Sequence, residues 1–128
     1  MMSFWEENDL TPKVENILRQ QKPSKQYAHF GRPFLTAIQL AHKFKRVYPE
    51  IIESFIEEEG VHQHALSSLA AFLVKELFGR ISIGRITSIE GAVLSTSNLN
   101  KLNFVIDDVA IKSLIEKDSL DLFVFRYR

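Results

Sequence analysis

The sequence has no cysteine, only five glycines and four prolines among its 128 residues, and no excess of either charge sign. The missing thiols exclude disulfide scaffolds, thiol catalysis, iron–sulfur clusters and every zinc site built on cysteine. Sixteen Lys and Arg balance sixteen Asp and Glu, which argues against a protein whose whole surface is built to neutralise phosphate. No stretch approaches the roughly eighteen apolar residues that a membrane span needs. The opening Met1-Met2-Ser3-Phe4-Trp5-Glu6-Glu7 has neither the basic nor the apolar region of a secretory signal, so the cytosol is the simplest location. Also missing are the Gly-rich phosphate loops and the nucleophile elbow of common enzyme families. Adjacent carboxylates such as Asp107 and Asp108 point apart on a turn and predict no acid–base couple, so a non-enzymatic role is favoured.

What the chain does contain is 45% apolar and 11% aromatic residues in 14.8 kDa, the composition of an ordinary globular domain. Roughly 65–70% of the unfolded surface can be buried at this size, so the fold needs no disulfide, metal or cofactor. Residues 1–10 read as a flexible polar leader, and 11–128 as a single α+β domain. Thr11-Pro12 resembles a helix start, with Val14, Ile17 and Leu18 on one face of a helix over about 12–21 that fades before Pro23. Thr36 and Gln39 fit a capping box, and Leu35 and Leu40 a hydrophobic staple, so a second helix is predicted over 37–56 with a kink, or a break at Tyr48, forced by Pro49.

A third helix is predicted over 63–78, broadly apolar and central, with Gly79 as its stop. Beyond it the period changes to two at Ile81 and Ile83, and Gly84 and Gly91 are expected to punctuate short strands. Leu102–Ile106 alternates as a strand. Val109–Lys117 fits a short helix capped by Asp108 or a strand, and the helix is favoured. Leu120–Arg128 reads as an inner strand, apolar on both faces. The sum is a set of N-terminal helices packed on a small C-terminal antiparallel sheet. Its edges at Leu102–Ile106 or Leu120–Tyr127 offer pairing to another chain, including a second copy.

Charge is segregated although it balances. Residues 16–49 carry Arg19, Lys22, Lys25, Arg32, Lys43, Lys45 and Arg46 with no carboxylate, whereas residues 50–59 carry Glu50, Glu53, Glu57, Glu58 and Glu59 with no base. The two blocks either neutralise each other across the bend at Pro49 or stay solvated and make the molecule a dipole. The basic block also holds Tyr27, His29 and Phe30 around Gly31, an unusual density of rings for a connector. Lys25, Tyr27, His29, Phe30, Arg32, Lys45 and Arg46 are therefore the candidate contacts to an acidic protein partner, in the manner of a small inhibitor, immunity-type or adaptor protein.

The competing reading is a winged-helix-like DNA binder. Its third helix would read the groove, and Arg80, Ser82 and Arg85 on an Arg80–Arg85 hairpin would touch phosphate. Glu57 to His64 contains ligand types that suit Zn²⁺ or Ni²⁺, but His62-x-His64 puts both rings on one side only in a strand, where a helix is starting. No metal site is assigned.

Overall fold

The computed structural model describes residues 2–60, 65–97, 99, 101–106, 109–114 and 122–128, and for 101–106 and 109–114 it describes the backbone. The architecture is α+β, with the helices first and the strands after them. Among the described residues, no helix is long and apolar enough to cross a membrane.

The first turn corrects the expectation of a leader over residues 1–10. Phe4–Glu7 forms a short helix, α1, capped by Ser3, whose hydroxyl accepts from the Glu6 amide at 3.3 Å. Phe4 and Trp5 are buried. Trp5 Nε1 donates to Thr11 Oγ1 at 2.8 Å, and the Arg80 guanidinium lies 5.1 Å from the centre of the indole. Two large aromatic rings on a four-residue turn bury enough apolar area to hold it against the core.

Helix α2, Leu10–Arg19, buries Leu10, Val14, Ile17 and Leu18 along one stripe. It starts at Asp9, which takes a positive φ of 49°. Thr11 and Pro12 lie inside the first turn instead of opening the helix, because the Thr11 hydroxyl is engaged by Trp5. Strand β1, Leu35–Thr36, leads straight into α3, Ala37–Val47. Both bonds of the predicted capping box are present: Gln39 N donates to Thr36 Oγ1 at 3.2 Å, and Thr36 N to Gln39 Oε1 at 2.8 Å. Replacing Thr36 with Ala is expected to cost about 1 kcal/mol, measurable as a lower urea midpoint with an unchanged slope.

Pro49 produces a break, not a kink within one helix. Tyr48 leaves helical space (φ −131°, ψ 64°), and Pro49 opens a separate helix α4, Pro49–Glu59, at a first-turn position where its missing N–H costs nothing. The Tyr48 hydroxyl accepts from Asn16 Nδ2 at 2.8 Å and ties the break to α2. Gly60, at φ 68°, ends α4.

Helix α5, Ala65–Ser82, packs on α3, α4 and the sheet and buries Leu69, Ala70, Leu73 and Leu77. Its predicted first residues, 63 and 64, lie outside the described residues. Its end is corrected: Gly79 is inside the helix, and the positive-φ glycine is Gly84 (φ 77°), where the Gly84 amide closes back on the Ile81 carbonyl at 3.1 Å. A helical glycine costs only about 1 kcal/mol relative to Ala, less than continued packing of Ile81 against the core returns. The strand expected at Ile81–Ile83 is consequently absent, and Ile83 is exposed.

Strand β2, Ile89–Leu94, and β5, Leu122–Tyr127, pair antiparallel, and β1 adds at the other side of β5, giving the order β1-β5-β2. The inner strand expected at Leu120–Arg128 is, over the described residues, β5, the central strand of this sheet. Phe125, fully buried, faces α5 through Phe78, whose ring centre is 5.2 Å away. Gly91 sits opposite Phe125 with the Phe78 ring where a side chain would stand, 3.2 Å from the position of a Cβ. Gly91 thus lies within a strand instead of breaking it.

Strands β3, Lys101–Ile106, and β4, Val109–Leu114, form a separate antiparallel pair, with Leu102 opposite Ser113 and Ile106 opposite Val109. This corrects the helix favoured at Val109–Lys117 for the residues described. A six-residue apolar-rich segment fits either period, and its ladder with β3 settles it as a strand. Asp107 and Asp108, read as a turn, lie outside the described residues.

Candidate functional site

The segment between α2 and β1 is ordered by its own turns and by the sheet. Lys25–Phe30 winds as a 3-10 helix, interrupted at Tyr27, and Gly31 follows at φ 88°, a conformation that favours glycine. Arg126 of β5 reaches under this turn. Its Nη1 donates to the Phe30 carbonyl at 2.7 Å and to the Arg32 carbonyl at 3.4 Å, its Nε donates to Glu90 at 2.7 Å, and its guanidinium covers the Phe34 ring at 4.5 Å. Arg32 is fixed as well, donating to the main-chain carbonyls of Arg19 and Arg128 at 3.3 Å each. The Tyr127 ring lies between Arg19 and Arg32, whose guanidinium carbons are 4.8 and 5.2 Å from its centre.

These contacts leave a groove of about 570 Å³ between the turn and the sheet, walled by Pro23, Tyr27, Phe30, Pro33 and Phe34 and floored by Arg126. Phe30 is 67% and Tyr27 53% exposed. The His29 and Phe30 rings stack 4.2 Å apart, so the outermost aromatic is braced by a neighbour, not by the core. Lys22 stands at the rim and Lys25 follows the lining Ser24 in the chain, both exposed and in no ion pair among the described residues. Two pre-positioned rings over a mostly apolar hollow, with exposed ammonium groups close by, can hold an apolar side chain flanked by carboxylates.

Of the seven residues predicted to touch an acidic partner, Lys25, Tyr27, His29, Phe30 and Arg32 come together here. Lys45 and Arg46 do not, since they occupy the last turn of α3, about 14–15 Å along the helix from the Thr36 cap. Sequence reasoning missed the floor and back wall of the groove, Arg126, Pro23, Pro33 and Phe34. The one signal for Arg126 was its opposite-charge partner Glu90, directly across the ladder at the register Glu90↔Arg126.

The Arg80–Arg85 hairpin of the DNA-binding reading does not form. Arg80 and Ser82 lie in α5, and Arg85 follows the Gly84 turn. The Arg80 side chain is largely buried, paired to Glu76 at 3.5 Å and stacked on Trp5, so it braces α1 instead of facing outward. His62 and His64, on which a metal reading turns, lie outside the described residues, and no cluster of metal-ligating side chains occurs among those described. The acidic block Glu50, Glu53, Glu57, Glu58 and Glu59 is exposed along α4. A second hollow of about 580 Å³ at Phe4, Phe55 and Phe72 is rimmed by Glu58, Glu59, Lys75 and Glu76 and contains none of the predicted contacts.

In comparison with known proteins, no family model, no curated protein and no solved structure matches the chain.

Proposed function

We propose that the chain is a non-enzymatic binding module that takes an acidic segment of another protein, anchored by an aromatic or aliphatic side chain, in the groove of residues 22–34. The observation that carries this reading is Phe30. A phenyl ring that is 67% exposed, stacked on His29 and set over an apolar hollow, is unfavourable in water and becomes favourable on covering. Charge decides the chemistry of the partner. Lys22, Arg32 and Arg126 line the groove, no carboxylate does, and Glu90 is already paired to Arg126, so the local potential favours carboxylates.

A single nucleic-acid strand would also value exposed rings and bases. The recess between two prolines and Phe34 suits a protruding side chain better than a flat nucleobase. A role as an inhibitor or adaptor in the cytosol is consistent with this reading.

Selection of peptides from a random displayed library on the immobilised protein provides the test. Acidic sequences with one conserved-length apolar anchor are expected to be enriched, and Phe30→Ala is expected to weaken the best of them by about 30-fold or more, the scale of a central hot spot. Thermal stability is expected to stay unchanged, because the ring lies outside the core. Enrichment without acidic character, or binding insensitive to Phe30→Ala, would overturn the proposal. Tight binding of an oligothymidine with a steep salt slope, and of no peptide, would replace it with nucleic acid.

A further inference from the structure

An unpaired strand edge offers a row of N–H and C=O groups to any other strand, and the three-stranded sheet ends at β1 on one side and β2 on the other. One bond fixes which groups of β2 face outward. Arg128 N donates to the Ser88 carbonyl at 2.8 Å, so these two form a hydrogen-bonded pair. The alternation of an antiparallel ladder then makes Glu90–Arg126, Ala92–Val124 and Leu94–Leu122 bonded pairs as well. Ile89, Gly91 and Val93 therefore aim their main-chain groups away from β5.

The two edges differ. Strand β1 is two residues long, and the amide of Thr36 is already taken by Gln39 Oε1 at 2.8 Å. That edge is closed. Along β2, Ile89 is fully buried, but Val93 is 54% and Leu94 46% exposed, and no backbone bond reaches Gly91 or Val93 from outside the ladder among the described residues. The strand Ile89-Glu90-Gly91-Ala92-Val93-Leu94 contains no proline and no lysine, and its register with β5 runs without a bulge. Its one charge, Glu90, is paired to Arg126, and among the described residues no bulge, proline, lysine or covering backbone protects the edge.

The geometry points to a second copy of this chain as the occupant, with β2 lying antiparallel to β2 about a twofold axis at Ala92. A twofold axis perpendicular to a sheet sets one residue opposite itself, and the choice of residue is constrained by the strand. With the axis at Ala92, Gly91 faces Val93 of the other copy in both halves, and each such pair exchanges two main-chain bonds. Glu90 faces Leu94, so no like charges meet. The smallest side chain that can occupy the axis does so, at a non-bonded pair where the strands approach most closely, about 4.5 Å between Cα atoms. An axis at Gly91 would demand the buried groups of Ile89, and one at Val93 would set Gly91 opposite Ser95, beyond the end of the strand. The product is a continuous six-stranded sheet with the helices of both copies on one side, and it leaves the groove at residues 22–34 independent.

The chain's freedom from cysteine makes the test direct. Ala92→Cys is expected to oxidise to a covalent dimer, because facing Cα atoms at about 4.5 Å lie within disulfide range. Ser97→Cys, exposed and beyond the strand, is expected to stay monomeric under the same oxidant. In sedimentation velocity the unmodified protein is expected to show a species of twice 14.8 kDa, and Val93→Lys, which keeps the bonds to β5 and puts a charge on the edge, is expected to abolish it. A protein that stays monomeric at its highest soluble concentration, or cross-linking at Ala92 no faster than at Ser97, would overturn the proposal. So would a dimer indifferent to Val93→Lys, which would place the interface elsewhere.

Discussion

Replacing Trp5 with Ala is expected to destabilise the fold by about 3–5 kcal/mol, the range for removing a large buried aromatic. The residue belongs to the four-residue helix α1, yet it is 2% exposed. Its ring packs against Phe72 and under Arg80, and its N–H is satisfied by Thr11. Removal leaves a hollow bounded by α1, α2 and α5 and strips the Arg80 guanidinium of its covering ring. Thr11→Val, which orphans the indole N–H but keeps the packing, is expected to cost less, about 1–3 kcal/mol. Urea unfolding of the two variants separates the contributions. A Trp5→Ala cost below about 1 kcal/mol would mean that residues 3–9 are not part of the cooperative fold.

Phe125→Ala is expected to cost a comparable 3–5 kcal/mol, and its coupling to Gly91 gives the sharper result. Phe125 is the fully buried residue of the central strand and lies opposite Gly91, with the Phe78 ring over both. Gly91→Ala alone forces a Cβ to within 3.2 Å of Phe78 and 3.5 Å of Phe125. Overpacking of that kind costs about 1–3 kcal/mol. In the Phe125→Ala background, Phe78 gains room to retreat, so the second substitution is expected to cost less than it does alone. Additive values in a double-mutant cycle would show that the three residues do not share one packing layer.

The parts of the fold that were legible are those written in local residue order. Thr36 and Gln39 make their reciprocal bonds within four residues, and Pro49 breaks a helix by its own chemistry wherever it stands. The inner place of β5 was legible from the consecutive apolar residues Leu122 to Phe125, a run that an edge strand open to water seldom carries. Other features depended on contacts distant in the chain. The four residues of α1 are too few to show any period, and their helix rests on Phe55, Phe72 and Arg80. Glycine type carries no φ, so Gly79 and Gly84 look equivalent until α5 has a core to pack against. For Val109–Leu114 the deciding partner is β3.

The candidate site divides in the same way. Lys25, Tyr27, His29, Phe30 and Arg32 are close in sequence and stayed close in space. Lys45 and Arg46 joined them only through shared charge, and the straight helix α3 carries them off. Arg126 reaches the groove from nearly a hundred residues away, so its part in holding the Phe30 carbonyl follows from the ladder and not from composition.

Binding at the groove is tested most directly by titrating a selected acidic peptide into isotope-labelled protein and following the amide resonances. The shifts are expected to concentrate on residues 22–34 and Arg126 and to disappear in a Lys22→Glu, Lys25→Glu double variant that remains folded. Shifts centred on Arg80–Arg85, on α4, or spread without a focus would contradict the assignment of the groove as the binding site.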